Sequence, residues 1–229
     1  MVRTSLGAVL SVVMLTGCVQ ATEGPTTTFD GLAGSRTVDT DGNVEMNGAA
    51  ITLEGRVGGW VEMNGASVDV RAEIGGDLEA NGASVEIDAQ VTGASEINAG
   101  SADLEGVYLG PVEVNAGNAN LDGRYAQTLR ANAGSMTLSG DHAAPVYFAG
   151  AGRDRNFLGR ARADRSRLIL EGHLAAGGDV CAHEVILERG ASLGDVLRVR
   201  ADSMPDLPSG LNADMVVYEP RNGEDCREF

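Results

Sequence analysis

An asparagine recurs every 17 residues through the middle of this chain. The members of the series are Asn47, Asn64, Asn81, Asn98, Asn115 and Asn132. A strict period of this length is typical of a solenoid, in which each repeat is one supersecondary unit stacked on its neighbour. The series therefore predicts an architecture in which residue types are aligned in columns along the molecule.

Each repeat also alternates apolar and polar residues, as in Ile51-Thr52-Leu53 and Val68-Asp69-Val70. An alternation with period two predicts β-strands with one buried face. Glycine pairs such as Gly58-Gly59 recur at one phase and indicate corners, because glycine tolerates positive φ. We therefore predict an all-β, single-domain β-helix with coils of about 17 residues, three short strands per coil and a right-handed turn.

Composition agrees with this prediction and restricts the function. Only 4% of the residues are aromatic while 43% are hydrophobic, which suits a core of stacked aliphatic side chains. The 32 glycines, placed at repeating phases, argue against a helical repeat. The net charge is −16, so we predict no nucleic-acid partner, since nucleic-acid binding needs a basic surface.

The N-terminus has the features of a secretion signal. A short apolar run ends in Leu15-Thr16-Gly17-Cys18, which resembles the bacterial lipobox. We predict a signal peptide over 1–17, a lipid on Cys18 that attaches the protein to a membrane, and a flexible tether over 18–40. Val19, in place of aspartate after the cysteine, indicates a periplasm-facing outer-membrane lipoprotein in the cell envelope.

The repeat predicts a β-helix over 41–200 and a C-terminal cap or tail over 201–229. Leu138 and Leu170 are 32 residues apart, two short of two repeats, so we expect a distorted or shortened coil at about 149–163. Cys181 and Cys226 remain in the predicted mature chain. In an oxidising compartment they could form a disulfide that pins the tail to a late coil, or stay as two separate thiols.

Three columns or clusters are candidates for function. The asparagine column is interpreted as a structural ladder, with a regular surface for a lattice or polymer as the alternative. A second column should face outward two residues before it, and is a candidate acidic face for a cation, a glycan or a basic partner; the alternative is a solvated surface. Its members are Glu45, Glu62, Glu79, Glu96 and Glu113.

The third candidate is a basic patch, with a solvated loop as the alternative. Its members are Arg153, Arg155, Arg160, Arg162, Arg165 and Arg167. Residues 41–123, in contrast, contain 15 acidic side chains and only Arg56 and Arg71. This asymmetry between acidic coils and a basic segment predicts one of two interactions: an opposite-charge contact between chains, or binding to anionic lipid head groups.

No catalytic residue, metal site or cofactor is predicted. His142 lies in an apolar column and is interpreted as a packed core residue, and the cysteine spacing has no metal signature. A polysaccharide-active enzyme is the alternative, but β-helix enzymes of that class have longer coils whose loops form a cleft.

Residues 170–200 contain Leu170-Glu171-Gly172, Gly178-Asp179-Val180 and the run from Glu188 to Val196. With these motifs as its best stretch, the coil pattern over most of 44–200 resembles the bactofilins, a family of polymer-forming bacterial cytoskeletal proteins. The resemblance implies a short right-handed β-helix that self-associates through its ends. The expected function is therefore a lipid-anchored scaffold in the cell envelope with an unknown envelope partner; the alternative is a binding module that uses the acidic face.

Overall fold

The computed structural model describes residues 24–151, 165–222 and 224–226. Over these residues the chain is an all-β, single-domain parallel β-solenoid of about 11 turns, which confirms the predicted fold class. Among the described residues, the structure contains no helix of the length and apolarity needed to cross a membrane.

The solenoid is built from strands that pair in parallel with the coil before and the coil after. The early strands are β1 (Thr26–Asp30), β2 (Ala33–Thr40), β3 (Asn43–Val57), β4 (Val61–Ile74), β5 (Leu78–Val91), β6 (Ser95–Tyr108), β7 (Val112–Tyr125) and β8 (Leu129–His142). The later strands are β9 (Val146–Gly150), β10 (Arg167–Leu170), β11 (His173–Leu174), β12 (Gly178–Cys181), β13 (Glu184–Leu187), β14 (Ser192–Leu193), β15 (Leu197–Ala201) and β16 (Val216–Pro220). A short 3₁₀ helix over Ala213–Met215 precedes β16.

Neighbouring coils are in register at 17-residue steps from β3 to β9, so residues of one column lie directly opposite one another. Strands paired in this way are ~4.8 Å apart. The prediction of three short strands per coil is wrong for β3–β8, where one strand of 14 or 15 residues continues through the asparagine corner. It agrees with the coils formed by β10–β12 and β13–β15, which each contain three short strands.

Of the two predicted alternatives, a distorted or a shortened coil, the shortened coil is wrong. Leu138 pairs directly with Leu170, so these 32 residues form one coil, longer than its neighbours by 15 residues. The register locates the insertion. Ala133 pairs with Gly150, and Ser135 with Arg167, so residues 151–166 separate two positions that only Gly134 separates in the previous coil. The irregular coil predicted at about 149–163 therefore falls at the asparagine corner, and its residues 152–163 lie outside the described residues.

Both ends of the solenoid extend beyond the predicted limits of 41 and 200. The tether prediction is wrong for residues 26–40, because β1 and β2 pair with β3 and form a first coil. At the other end β16 pairs with β15, which adds a further partial coil. Leu207 and Leu211 pack against the core, so the segment between these strands covers the C-terminal end, as a cap must.

The core consists of stacked columns of side chains that alternate inward along each strand. One column changes from aliphatic to aromatic: after Val91 it continues with Tyr108, Tyr125 and His142. The ring centroids are 5.0 Å apart between the tyrosines and 4.8 Å apart between Tyr125 and His142, with nearly parallel planes. Such stacking stabilises a core beyond simple burial. Burial lowers the pKa of His142, so it is a packed neutral histidine, as its column predicted.

Candidate functional site

The asparagine column forms a continuous hydrogen-bonded ladder on the outer side of the solenoid. Each asparagine donates from Nδ2 to Oδ1 of the asparagine in the preceding coil, and Asn47 donates to Asp30 at the start. The ladder distances from Asn64, Asn81, Asn98, Asn115 and Asn132 are 3.2, 2.9, 3.0, 3.1 and 2.9 Å. The predicted structural ladder is therefore present, because a 17-residue step aligns each side-chain amide with the side-chain carbonyl of the preceding asparagine.

The same amides also hold the glutamate row, the column Glu45, Glu62, Glu79, Glu96 and Glu113. Every ladder asparagine except Asn132 donates a second Nδ2 hydrogen bond to Oε1 of the glutamate two residues earlier in its own strand. These distances run from 2.9 Å at Asn47, Asn64 and Asn81 to 3.2 Å at Asn98 and 3.4 Å at Asn115. The two columns are thus one network, in which the amide ladder orients a row of carboxylates.

The row lies in an open groove along the outer face. Four of its members, Glu62, Glu79, Glu96 and Glu113, line a cavity of about 490 Å³. One wall comes from the corner that precedes each strand and carries Trp60, Asp77, Ala94, Pro111 and Thr128. We call this cavity the acidic groove. It combines carboxylates at ~4.8 Å intervals, set by strand pairing, with the apolar surfaces of a tryptophan and a proline.

Beyond Glu113 the column changes character. It continues through Arg130, Tyr147 and Asp179, which pair in register across successive coils. With Glu113, Asn132 and Ala149, they line a second cavity of about 420 Å³ that is contiguous with the acidic groove through Glu113 and Arg130. The Arg130 guanidinium lies over the Tyr147 ring, 4.6 Å from its centroid. We call this second cavity the Arg130 pocket.

The predicted basic patch is only partly described. Arg153, Arg155, Arg160 and Arg162 lie outside the described residues. Arg165 is exposed, and the Nε atom of Arg167 is 2.7 Å from the Glu184 carboxylate, so Arg167 is neutralised by a neighbouring coil. The lipidation candidate Cys18 also lies outside the described residues.

The two remaining cysteines are bonded. Cys181 lies on β12 and Cys226 in the C-terminal tail, and they form a disulfide. Register places Cys181 in the continuation of the asparagine column, next to Ala149, so the bond attaches the tail to the face that carries the ladder. Arg221, almost fully buried beneath the tail, is 2.8 Å from Asp202, whose pKa is lowered mainly by this hydrogen bond. The tail is therefore a covalently and ionically fixed cap.

Within the described part of the chain, no three His, Cys, Asp or Glu side chains are grouped so that they could hold a metal ion. Carboxylates in a single file share one face and diverge from any common centre, whereas calcium needs six to eight converging oxygens. The geometry of the row therefore suits a ligand that extends along it.

Sequence reasoning identified the glutamate row but missed the pocket at its end. Arg130 follows the row at the 17-residue period. Asp179 does not, because it comes 32 residues after Tyr147, and the period therefore does not identify it. The corner residues Trp60 and Pro111 were missed because no sequence pattern shows that a corner forms a wall. The 17-residue column before each glutamate is the signal that could have found them.

No protein-family model, curated protein or solved structure matches this chain significantly, so its function must be inferred from the residues and their arrangement.

Proposed function

We propose that this protein is a rigid binding module of the cell envelope whose acidic groove holds an extended, positively charged partner. The observation that carries the proposal is the alignment of Glu62, Glu79, Glu96 and Glu113 along one groove, each oriented by an asparagine amide. Aligned like charges destabilise adjacent strands. A surface that keeps this unfavourable arrangement over several coils suggests selection for a cationic ligand.

The energetics favour a long partner over a small one. An exposed ion pair contributes at most ~1 kcal/mol, so a single glutamate would bind weakly. Several pairs along one ligand act together because their spacing is preset by the solenoid, and less conformational freedom is lost on binding. Among the described contacts of Glu62, Glu79, Glu96 and Glu113, only Oε1 accepts a hydrogen bond, which leaves Oε2 for the partner.

The structure gives less support to self-association through the solenoid ends. Head-to-tail association requires two open ends, but Leu207 and Leu211 cover the C-terminal coils and the Cys181–Cys226 bond fixes the tail there. From the bactofilin resemblance we retain the proposal of a stiff β-helical scaffold, here with its long outer face as the binding surface.

To test the groove, we expect that changing Glu62, Glu79, Glu96 and Glu113 together to glutamine weakens binding of a lysine-rich peptide about thirtyfold at low salt. The reason is the loss of four exposed ion pairs at ~0.5 kcal/mol each, or ~2 kcal/mol in total. Fluorescence anisotropy of a labelled peptide, repeated over a salt series, measures the change.

The chain offers a control with the same change in net charge. Glu86, Asp88, Glu105 and Asp122 are exposed acids on the next face of the solenoid. At 0.1 M salt, changing these four to their amides should alter affinity by less than about threefold, because the screening length at that ionic strength is ~10 Å. Equal losses from both quadruple variants would mean that only net charge attracts the peptide, and the groove proposal would be wrong.

We also propose that residues 1–17 are a lipoprotein signal and that a lipid on Cys18 anchors the solenoid to the outer membrane. The disulfide supports this location, because such bonds persist in oxidising compartments. About 11 turns at ~4.8 Å give a rod roughly 50 Å long that would project from its lipid.

Replacement of Cys18 by serine should abolish incorporation of a labelled fatty acid and move the protein from the membrane fraction to the soluble fraction of a bacterial host. A Cys226→Ser variant serves as the control and should remain labelled. Labelling that persists in the Cys18→Ser variant would show that another site is acylated.

A further inference from the structure

The charge of the groove column changes sign at one position. Arg130 follows Glu113 directly in register, so four carboxylates of the acidic groove are succeeded by one guanidinium. Glu113 does not neutralise this guanidinium, since among the described residues no carboxylate lies within 4.0 Å of it. The Glu113 carboxylate instead accepts a hydrogen bond from Asn115. Elsewhere in the solenoid Arg71, Arg167 and Arg198 each have an acidic partner.

The contact with Tyr147 prepares Arg130 to receive an anion. The contact of the Arg130 guanidinium with the ring leaves its planar N–H fork for two parallel hydrogen bonds to a carboxylate. The 420 Å³ cavity leaves room for that carboxylate. Asp179, which follows Tyr147 in the column, forms an ion pair with Arg198 at 3.5 Å. Arg130 is therefore a cation of the pocket without a counterion.

We infer that the groove is directional and that it binds the C-terminal end of an extended basic polypeptide. The cationic side chains of the ligand lie along the glutamate row, and its free terminal carboxylate lies on Arg130. This inference rests on the proposed function and adds the polarity and the end group of the ligand.

The spacing of the groove indicates the backbone conformation of the ligand. A polyproline II helix advances ~3.1 Å per residue with three residues per turn, or ~9.3 Å per turn. Two coils of the solenoid advance ~9.6 Å, so every third ligand residue meets every second glutamate. A β-strand repeats every ~6.8 Å and falls out of step. Trp60 and Pro111 in the groove wall suit a proline-rich chain, since polyproline II ligands bind grooves that are lined by aromatic residues.

These distances define a probe, the hexapeptide Lys-Pro-Pro-Lys-Pro-Pro with a fluorescent label on its N-terminus. Its lysines would lie at Glu62 and Glu96 and its carboxylate at Arg130, with two coils between successive contacts. The experiment compares this peptide with the same peptide amidated at its C-terminus. Anisotropy at low salt is measured with the full chain purified in a nonionic detergent.

A groove that recognises only positive charge must prefer the amide, because glutamates repel a carboxylate. We expect the opposite, with the free acid bound about fivefold more tightly than the amide. Arg130→Gln should reverse this preference without abolishing binding of the amide. The control is Arg124→Gln, an exposed arginine of the same two-coil region but outside the groove, and it should leave the preference unchanged.

The outcomes separate the two proposals. If the amide binds as tightly as the acid or more tightly, or if the preference for the acid survives Arg130→Gln, the directional inference is wrong while the acidic groove remains a binding site. If neither peptide binds, the proposed function fails, and the inference fails with it.

Discussion

Replacing Gly106 by alanine should lower the free energy of unfolding by about 3 kcal/mol or more, because two penalties coincide. The backbone at Gly106 has a φ of +115°, which residues other than glycine rarely adopt. A methyl group there would also meet the carbonyl oxygen of Ala89 on the neighbouring coil. The substitution must therefore shift the backbone where β5 and β6 are paired. Urea unfolding followed by circular dichroism measures the loss.

Two other glycines separate these penalties. Gly210 has a φ of +103° with no atom within 4 Å of an added methyl, so Gly210→Ala should cost only the strain, ~1–2 kcal/mol. Gly31 has open space and no positive φ, so Gly31→Ala should change stability by less than ~0.5 kcal/mol. A neutral Gly106→Ala would show that this coil can adopt the conformation that Ala89 has in the same column, and the argument from strain would fail.

The second large effect is expected from the Cys226→Ser substitution. Cys181 and Cys226 are 45 residues apart, and closing a loop of that length removes denatured-state entropy equivalent to ~4 kcal/mol. In a solenoid each coil contacts only its neighbours, so the loss should be confined to the last coils. Hydrogen exchange should therefore accelerate in β12, β15 and β16 and remain unchanged in β4–β7.

Reduction of the wild-type protein is the matched comparison. It should reproduce the exchange pattern of Cys226→Ser, and a reductant should have no further effect on that variant. Faster exchange throughout the solenoid would contradict a local role for the disulfide and would indicate that the cap controls the cooperative unfolding of the whole rod.

The extent to which function could be predicted from sequence differs between the two ends of the groove. The glutamate row was predictable because Glu62 to Glu113 repeat at the coil period, and a strict period converts sequence position directly into spatial alignment. The Arg130 pocket was not predictable because Tyr147 and Asp179 become neighbours only across a 32-residue coil. The extra residues in this coil break the 17-residue period, so sequence separation no longer predicts which residues lie in the same column.

The same distinction holds for the fold. The asparagine period and the alternation of apolar residues were sufficient to specify the solenoid, its inward columns and its register, because these depend on local periodicity and on repeated pairing between like coils. The assignment of residues 26–40 to a first coil, the path of the cap and the pairing of Cys181 with Cys226 depend on single contacts at the ends of the rod. Such contacts have no period, so only the folded chain reveals them. The asparagine column shows both levels: its period identified the ladder, and the three-dimensional structure showed that its amides also hold the carboxylates of the groove.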